Sequence, residues 1–169
     1  MSYLAAIDIG SNAIRLAIAN KRSTGLHITY RSREPVRLGS SVFASGRIDD
    51  AIFEDLKAAL SQFKNQMDNH NVLKYRAIAT SAMREAKNQA EVVEALAATT
   101  GIQVEVISGE EEARLVSAAI SQKVNINDGN YLFIDIGGGS IELVAMVNGE
   151  MLKNNMESTT FMADLGTVK

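Results

Sequence analysis

Two stretches of this 169-residue chain place carboxylates beside turns of small residues. Residues 7–16 read "IDIGSNAIRL" and residues 134–143 read "IDIGGGSIEL". They align without gaps at an offset of 135 − 8 = 127 residues, with six of ten positions identical. Backbone N–H groups in such turns converge on an anion, because glycine allows positive φ and close approach. Gly10, Ser11 and Asn12 form one such candidate cradle, and Gly137, Gly138, Gly139 and Ser140 the other. The serine hydroxyls add donors. Asp8 and Asp135 end the strands that feed the turns, and bare carboxylates there would repel a phosphate. A divalent cation resolves the conflict, and Mg²⁺ favours carboxylate oxygens together with phosphate and water. Glu142, seven positions after Asp135, is the third candidate ligand. The plainer alternatives are Asx turns for Asp8 and Asp135 and an exposed edge position for Glu142.

A base and a second anion contact are also on offer. In "SGEEEARL" (108–115), Ser108 and Glu111 match a capping box, which gives Glu111 a local task. Glu112 lies three and four residues before Leu115 and Val116, on the expected buried stripe, where a carboxylate is either costly or useful. Glu112 is the candidate general base, with Glu111 in reserve. Glu110 simply favours the helix dipole. In "ATSAMREAKN" (79–88) a helix starts at a strand end, an anion-binding arrangement to which Arg84 adds a guanidinium fork. The alternative is a surface arginine paired with Glu85 or Glu91.

Positioning these residues takes alternating strands and helices. "YLAAIDI" and "AIRLAIAN" read as strands around "GSN", with Ile14, Leu16 and Ile18 on one face and Arg15 on the other. "LHITYRSREPVRL" is a third strand that frays at Pro35, followed by a loop, "GSSVFASG". "DDAIFEDLKAALSQFKNQM" is the clearest helix, with the stripe Ile52, Phe53, Leu56, Leu60, Phe63 and Met67 and an aspartate cap. A strand "YRAIAT", one helix over 81–101 with room for an interruption, a strand "IQVEVI" and the helix at 108–123 follow. "VNINDGN" reads as a linker into the second hairpin, and "EMLKNNME" as a further strand after an Asn-Gly turn. The order βββαβαβα followed by three strands predicts an α/β lobe over 1–124 and the opening strands of an incomplete second lobe over 125–169.

Composition narrows the function classes. A net charge of −3 argues against DNA or other broad nucleic-acid binding, which needs a basic face. The chain has no cysteine, so no disulfide and no thiolate chemistry. No signal peptide or membrane span is visible, so a cytoplasmic location is the expectation.

These four ordered motifs resemble the exopolyphosphatase and guanosine pentaphosphate phosphohydrolase family, within the actin-like ATPase, Hsp70 and sugar kinase superfamily. The resemblance covers nearly the whole chain. It implies two ribonuclease-H-like, actin-type lobes and Mg²⁺-dependent hydrolysis of the terminal phosphoanhydride of polyphosphate or guanosine pentaphosphate. It implies phosphate loops at Gly10, Ser11, Asn12 and at Gly137 to Ser140, metal acids at Asp135 and Glu142 with Asp8 close by, catalysis by Glu112, and a motif place for Arg84. Family members continue through a full second lobe, so this chain is expected to be a fragment, weakly active or inactive alone and prone to self-association or dimerisation through uncovered strands. Two rivals stand beside this reading: an ATPase or sugar kinase of the same superfamily, and a non-catalytic phosphate-binding lobe.

Overall fold

The computed structural model describes residues 2–138 and 141–152. The chain divides into two compact units, one ending at Val106 and the other beginning at Ile107.

The first unit holds β1 (Tyr3–Ile9), β2 (Ile14–Arg22), β3 (Gly25–Glu34), α1 (Leu38–Ser45), α2 (Asp50–Asn69), β4 (Val72–Ala79), α3 (Ser81–Glu85), α4 (Gln89–Thr100) and β5 (Val104–Val106). Its sheet has the order β3-β2-β1-β4-β5. The first three strands are antiparallel, and β4 and β5 add in parallel. Period-2 alternation sends Ile7, Ile9, Ile14, Leu16 and Ile18 into the core, and Asp8 and Arg15 to the opposite face. From α2, Leu56, Leu60, Phe63 and Met67 meet that core, with Ile52 and Phe53 packed at its margin. Asp49 caps α2 through a 2.9 Å bond from the Ile52 N–H, and Gly101 ends α4 at φ +71°. β3 stops one residue short of Pro35, as a residue without an N–H requires.

Two segments differ from expectation. The predicted loop after β3 is the helix α1, whose buried Leu38 and Val42 are one turn apart and whose C-cap, Gly46, sits at φ +76°. The predicted long helix is two, because Ala86 is extended and Asn88 turns inward. The buried Asn88 amide accepts from the Ile48 N–H at 3.0 Å and donates to the Ile48 carbonyl at 2.8 Å, which ties the α1–α2 connection to the α3–α4 connection.

The second unit holds α5 (Gly109–Ser121), β6 (Asn130–Ile136), β7 (Ile141–Val147) and β8 (Glu150–Met151), with sheet order β6-β7-β8. Asn148 and Gly149 both have positive φ, the turn that Asn-Gly predicts. The rest of the expected last strand lies outside the described residues. Ile126, expected in a linker, is buried with Val144 and Met146, and Ala113 of α5 packs on that cluster. The helix expected in the first lobe therefore groups with the second hairpin. No helix among the described residues is long and apolar enough to cross a membrane.

Candidate functional site

In the first unit the turn Gly10–Ala13 is held from three sides. The Gly10 N–H donates to the Ala13 carbonyl at 3.1 Å. The Gly39 N–H at the start of α1 donates to the Ser11 carbonyl at 2.8 Å, and the Thr80 N–H before α3 donates to the Ile9 carbonyl at 3.2 Å. Gly10 does not use positive φ, contrary to the expectation for this turn. It is small because a Cβ there would lie 3.3 Å from the Ala13 carbonyl oxygen. Gly39 has a comparable task that the sequence did not signal, since a Cβ would sit 3.2 Å from that of Ser11 and 2.6 Å from the Phe43 ring. Ser11 is buried and Asn12 exposed. Arg84 is half-buried one helical turn past Thr80, whose carbonyl accepts its N–H at 2.9 Å. Glu91 pairs with Arg47 at 3.5 Å, and Glu85 accepts from Ser81 at 3.3 Å. Because α3 is only five residues long, its dipole is much weaker than a long helix would bring.

Asp8, expected near a metal, is met by an arginine. The Arg15 Nη1 lies 3.0 Å from the Asp8 Oδ2, across the β1–β2 pair.

The second hairpin repeats the frame of the first. Shifting each β1–β2 pair by 127 residues gives a β6–β7 pair, from Tyr3↔Asn20 and Asn130↔Val147 to Ile9↔Ile14 and Ile136↔Ile141. The repeat seen in the sequence is thus a repeat of register. In the second copy Asp135 stands directly opposite Glu142. Like charges opposite one another in a sheet destabilise it unless a cation lies between them. Gly139, Ser140 and the side chain of Glu142 lie outside the described residues. Gly137 and Gly138 are exposed at the turn's start. Among the described residues no three acidic, histidine or cysteine groups gather into a metal centre.

Register also fixes the face. Asp135 and position 142 share the pleat face of Phe133 and Val144, on the side where Ala113 of α5 packs. Glu112 precedes Ala113 and is half-buried. Ser108 caps α5, accepting from the Glu111 N–H at 3.2 Å, and its carbonyl accepts the Glu112 N–H at 3.0 Å. The Glu111 carboxylate takes both arms of Arg114, at 2.6 and 2.9 Å. The deepest residue of α5 is Ser117, so its buried stripe is centred on Ala113 and Ser117, and Glu112 lies at the edge of it. In the second unit the helix that carries Glu112 packs through Ala113 on the hairpin whose register opposes Asp135 and position 142, and in the first unit Thr80 links the start of α3, which carries Arg84, to the strand end before the Gly10–Ala13 turn.

A five-stranded sheet of order 3-2-1-4-5 with helices after β3, β4 and β5, followed by a repeat of its opening hairpin, is the lobe of the actin-like fold. The ethanolamine utilization protein EutJ from Carboxydothermus hydrogenoformans shares that fold at a TM-score of 0.51 and 17% identity. Residues 17–168 match the Ppx/GppA phosphatase family, and the chain belongs to it. Exopolyphosphatase 2 of Mycobacterium tuberculosis is 32% identical over all of this chain and 54% of its own length. Exopolyphosphatase 1 of Mycobacterium bovis is 30% identical over 87% of this chain and 43% of its own. A crystal structure of an exopolyphosphatase from Cytophaga hutchinsonii superposes with a TM-score of 0.85 and 30% identity, covering 89% of this chain and 48% of that one. The Aquifex aeolicus member of the Ppx/GppA family gives a TM-score of 0.79 and 32% identity, covering 90% and 49%. The chain thus spans about half the length of the relatives it matches.

Proposed function

We propose that this chain supplies the phosphate-holding turns and the water-activating glutamate of a phosphohydrolase. Its substrate is the terminal phosphoanhydride of polyphosphate or of guanosine pentaphosphate. The observation that carries the reading is the second unit's assembly: a glycine turn, two acids opposed in register beside it, and Glu112 on the helix packed against the same face. The names of the family and of its relatives support the reaction class.

Asp135 and Glu142 would hold a Mg²⁺ ion, because an opposed acid pair at the mouth of an anion turn needs a cation. When bound, the ion would neutralise charge on the phosphoryl oxygens. Each turn is a phosphate-holding element in its own unit, through its backbone N–H groups, with Ser11 and Arg84 adding donors in the first and Ser140 in the second. Glu112 accepts a proton from the attacking water. The water oxygen bonds to the terminal phosphorus, and the bond from that phosphorus to the bridging oxygen breaks, leaving the shortened chain. Ser108 caps the helix start from which Glu112 projects.

The test is release of inorganic phosphate from each substrate with Mg²⁺, with Glu112→Gln as control. A rate that survives that substitution removes Glu112 from the role. Turnover of ATP with a sugar acceptor, and none with polyphosphate, would favour a kinase. Tight phosphate binding without turnover would make this chain a binding lobe only.

A further inference from the structure

α1 lines up three features along one stripe, because residues 39, 43 and 46 follow at helical spacing. At one end Gly39 touches the Gly10–Ala13 turn, in the middle stands the Phe43 ring, and at the other end the Lys87 side chain crosses Gly46. We propose that Phe43 and Lys87 form a nucleoside subsite beside the first turn. Phe43 is the platform for a purine base, and Lys87 meets phosphate on the far side of the sugar. The preferred substrate is then guanosine pentaphosphate, which carries phosphate on both the 5′ and 3′ sides of its ribose, rather than polyphosphate. This rests on the reading that the first turn holds phosphate.

Among the described phenylalanines only Phe43 is exposed, at 41%. Its place is fixed from below. Helical side chains lean back over the preceding turn, and a Cβ on Gly39 would lie 2.6 Å from the ring. The same Cβ would lie 3.2 Å from that of Ser11, so the ring begins where the phosphate turn ends. A polyphosphate chain is anionic throughout and gains nothing from an apolar ring. A purine stacks on one through its π-face, whichever base it is. Lys87 supplies the second contact. Its backbone N–H donates to the Gly46 carbonyl at 2.9 Å, and its Nζ would lie 3.1 Å from a Cβ on Gly46. Glycine at both places keeps the helix surface low on either side of the ring. The neighbouring Arg47 pairs with Glu91 at 3.5 Å, whereas Lys87 is exposed and makes no ion pair among the described residues. From residue 39 to residue 46 the helix rises about 10 Å, the scale of one nucleotide. An anion turn, an aromatic ring and an open ammonium group therefore follow one another over the length of a nucleoside with phosphate on both sides.

The test is titration calorimetry on the full chain with Mg²⁺, using guanosine pentaphosphate, GTP and tripolyphosphate, which share a run of three phosphates. Phe43→Ala is expected to weaken both nucleotides about tenfold, the worth of one stacked base, and to leave tripolyphosphate unchanged. Phe43→Tyr keeps an aromatic face and is expected to bind all three as the wild type does. Lys87→Gln is expected to weaken guanosine pentaphosphate about threefold, the worth of an exposed ion pair, and to leave GTP, which lacks the 3′-diphosphate, unchanged. If Phe43→Ala weakens all three ligands equally, the ring merely props the turn, and the base platform is overturned. Unchanged nucleotide binding in Phe43→Ala, or an equal loss in Phe43→Tyr, overturns it as well. Equal losses for GTP and guanosine pentaphosphate in Lys87→Gln, or none, overturn the Lys87 contact. A wild type that binds tripolyphosphate as tightly as the nucleotides overturns this inference alone. A wild type that binds none of the three overturns the phosphate-turn reading together with it.

Discussion

Glu111 and Glu112 are neighbours with different tasks, and their partners separate them. The Glu111 carboxylate is held by both arms of Arg114, whereas Glu112 is half-buried beside the residue that packs on the second hairpin. Glu112→Gln is expected to lower phosphate release by roughly 10²–10⁴-fold, the usual worth of a general base, with the urea midpoint unchanged. Glu111→Gln is expected to leave turnover intact and to cost at most about 1 kcal/mol in the same urea titration, since its ion pair faces solvent. Asn88 matters in another way. Removing its amide in Asn88→Ala strands the buried N–H and carbonyl of Ile48. Each orphaned group costs about 1–3 kcal/mol, so the expected loss in chemical denaturation is at least about 2 kcal/mol.

Helix ends show how much local chemistry decides. Gly101 ends α4 at φ +71° with nothing within 4 Å of an added Cβ, while Gly109 opens α5 with equal space and no positive φ. Gly101→Ala is therefore expected to destabilise by about 1 kcal/mol and Gly109→Ala to be neutral or stabilising, as thermal melts would show. The fully buried Phe63 of α2 fills the core between helix and sheet, and Phe63→Ala is expected to cost about 3–5 kcal/mol. The α2 stripe was legible because it repeats at helical spacing over many turns. α1 was not, since its run of Gly and Ser resembles a loop. Its helix depends on docking against Ser11 and the 87–88 turn, where the Lys87 N–H donates to the Gly46 carbonyl at 2.9 Å. Its only sequence cue was Leu38 and Val42 one turn apart, ahead of Gly46. The break at 86–88 was equally hidden, because Asn88 finds its partners 40 residues away.

The two hairpins also differ in what covers them. In the first, Ile7, Ile9 and Leu16 are buried. Their equivalents 127 residues on, Ile134, Ile136 and Leu143, are 57%, 66% and 57% exposed, and Leu132 beside them is 61% exposed. An apolar sheet face of that kind seeks a cover. We expect this chain to self-associate through it, with Ile134→Lys together with Leu143→Lys returning monomers in analytical ultracentrifugation. A wild-type chain that stays monomeric at high concentration would count against the idea. The sequence by itself determined the hairpins, their repeat, the clear helices and the acids beside the turns, because these follow from spacing within a few residues. Only the tertiary structure decided that Asp8 pairs with Arg15, that α5 packs on the second hairpin, and that Gly39 and Asn88 brace the first turn and its neighbours. Those relations join residues from different strands and helices, and register and packing across the fold create them.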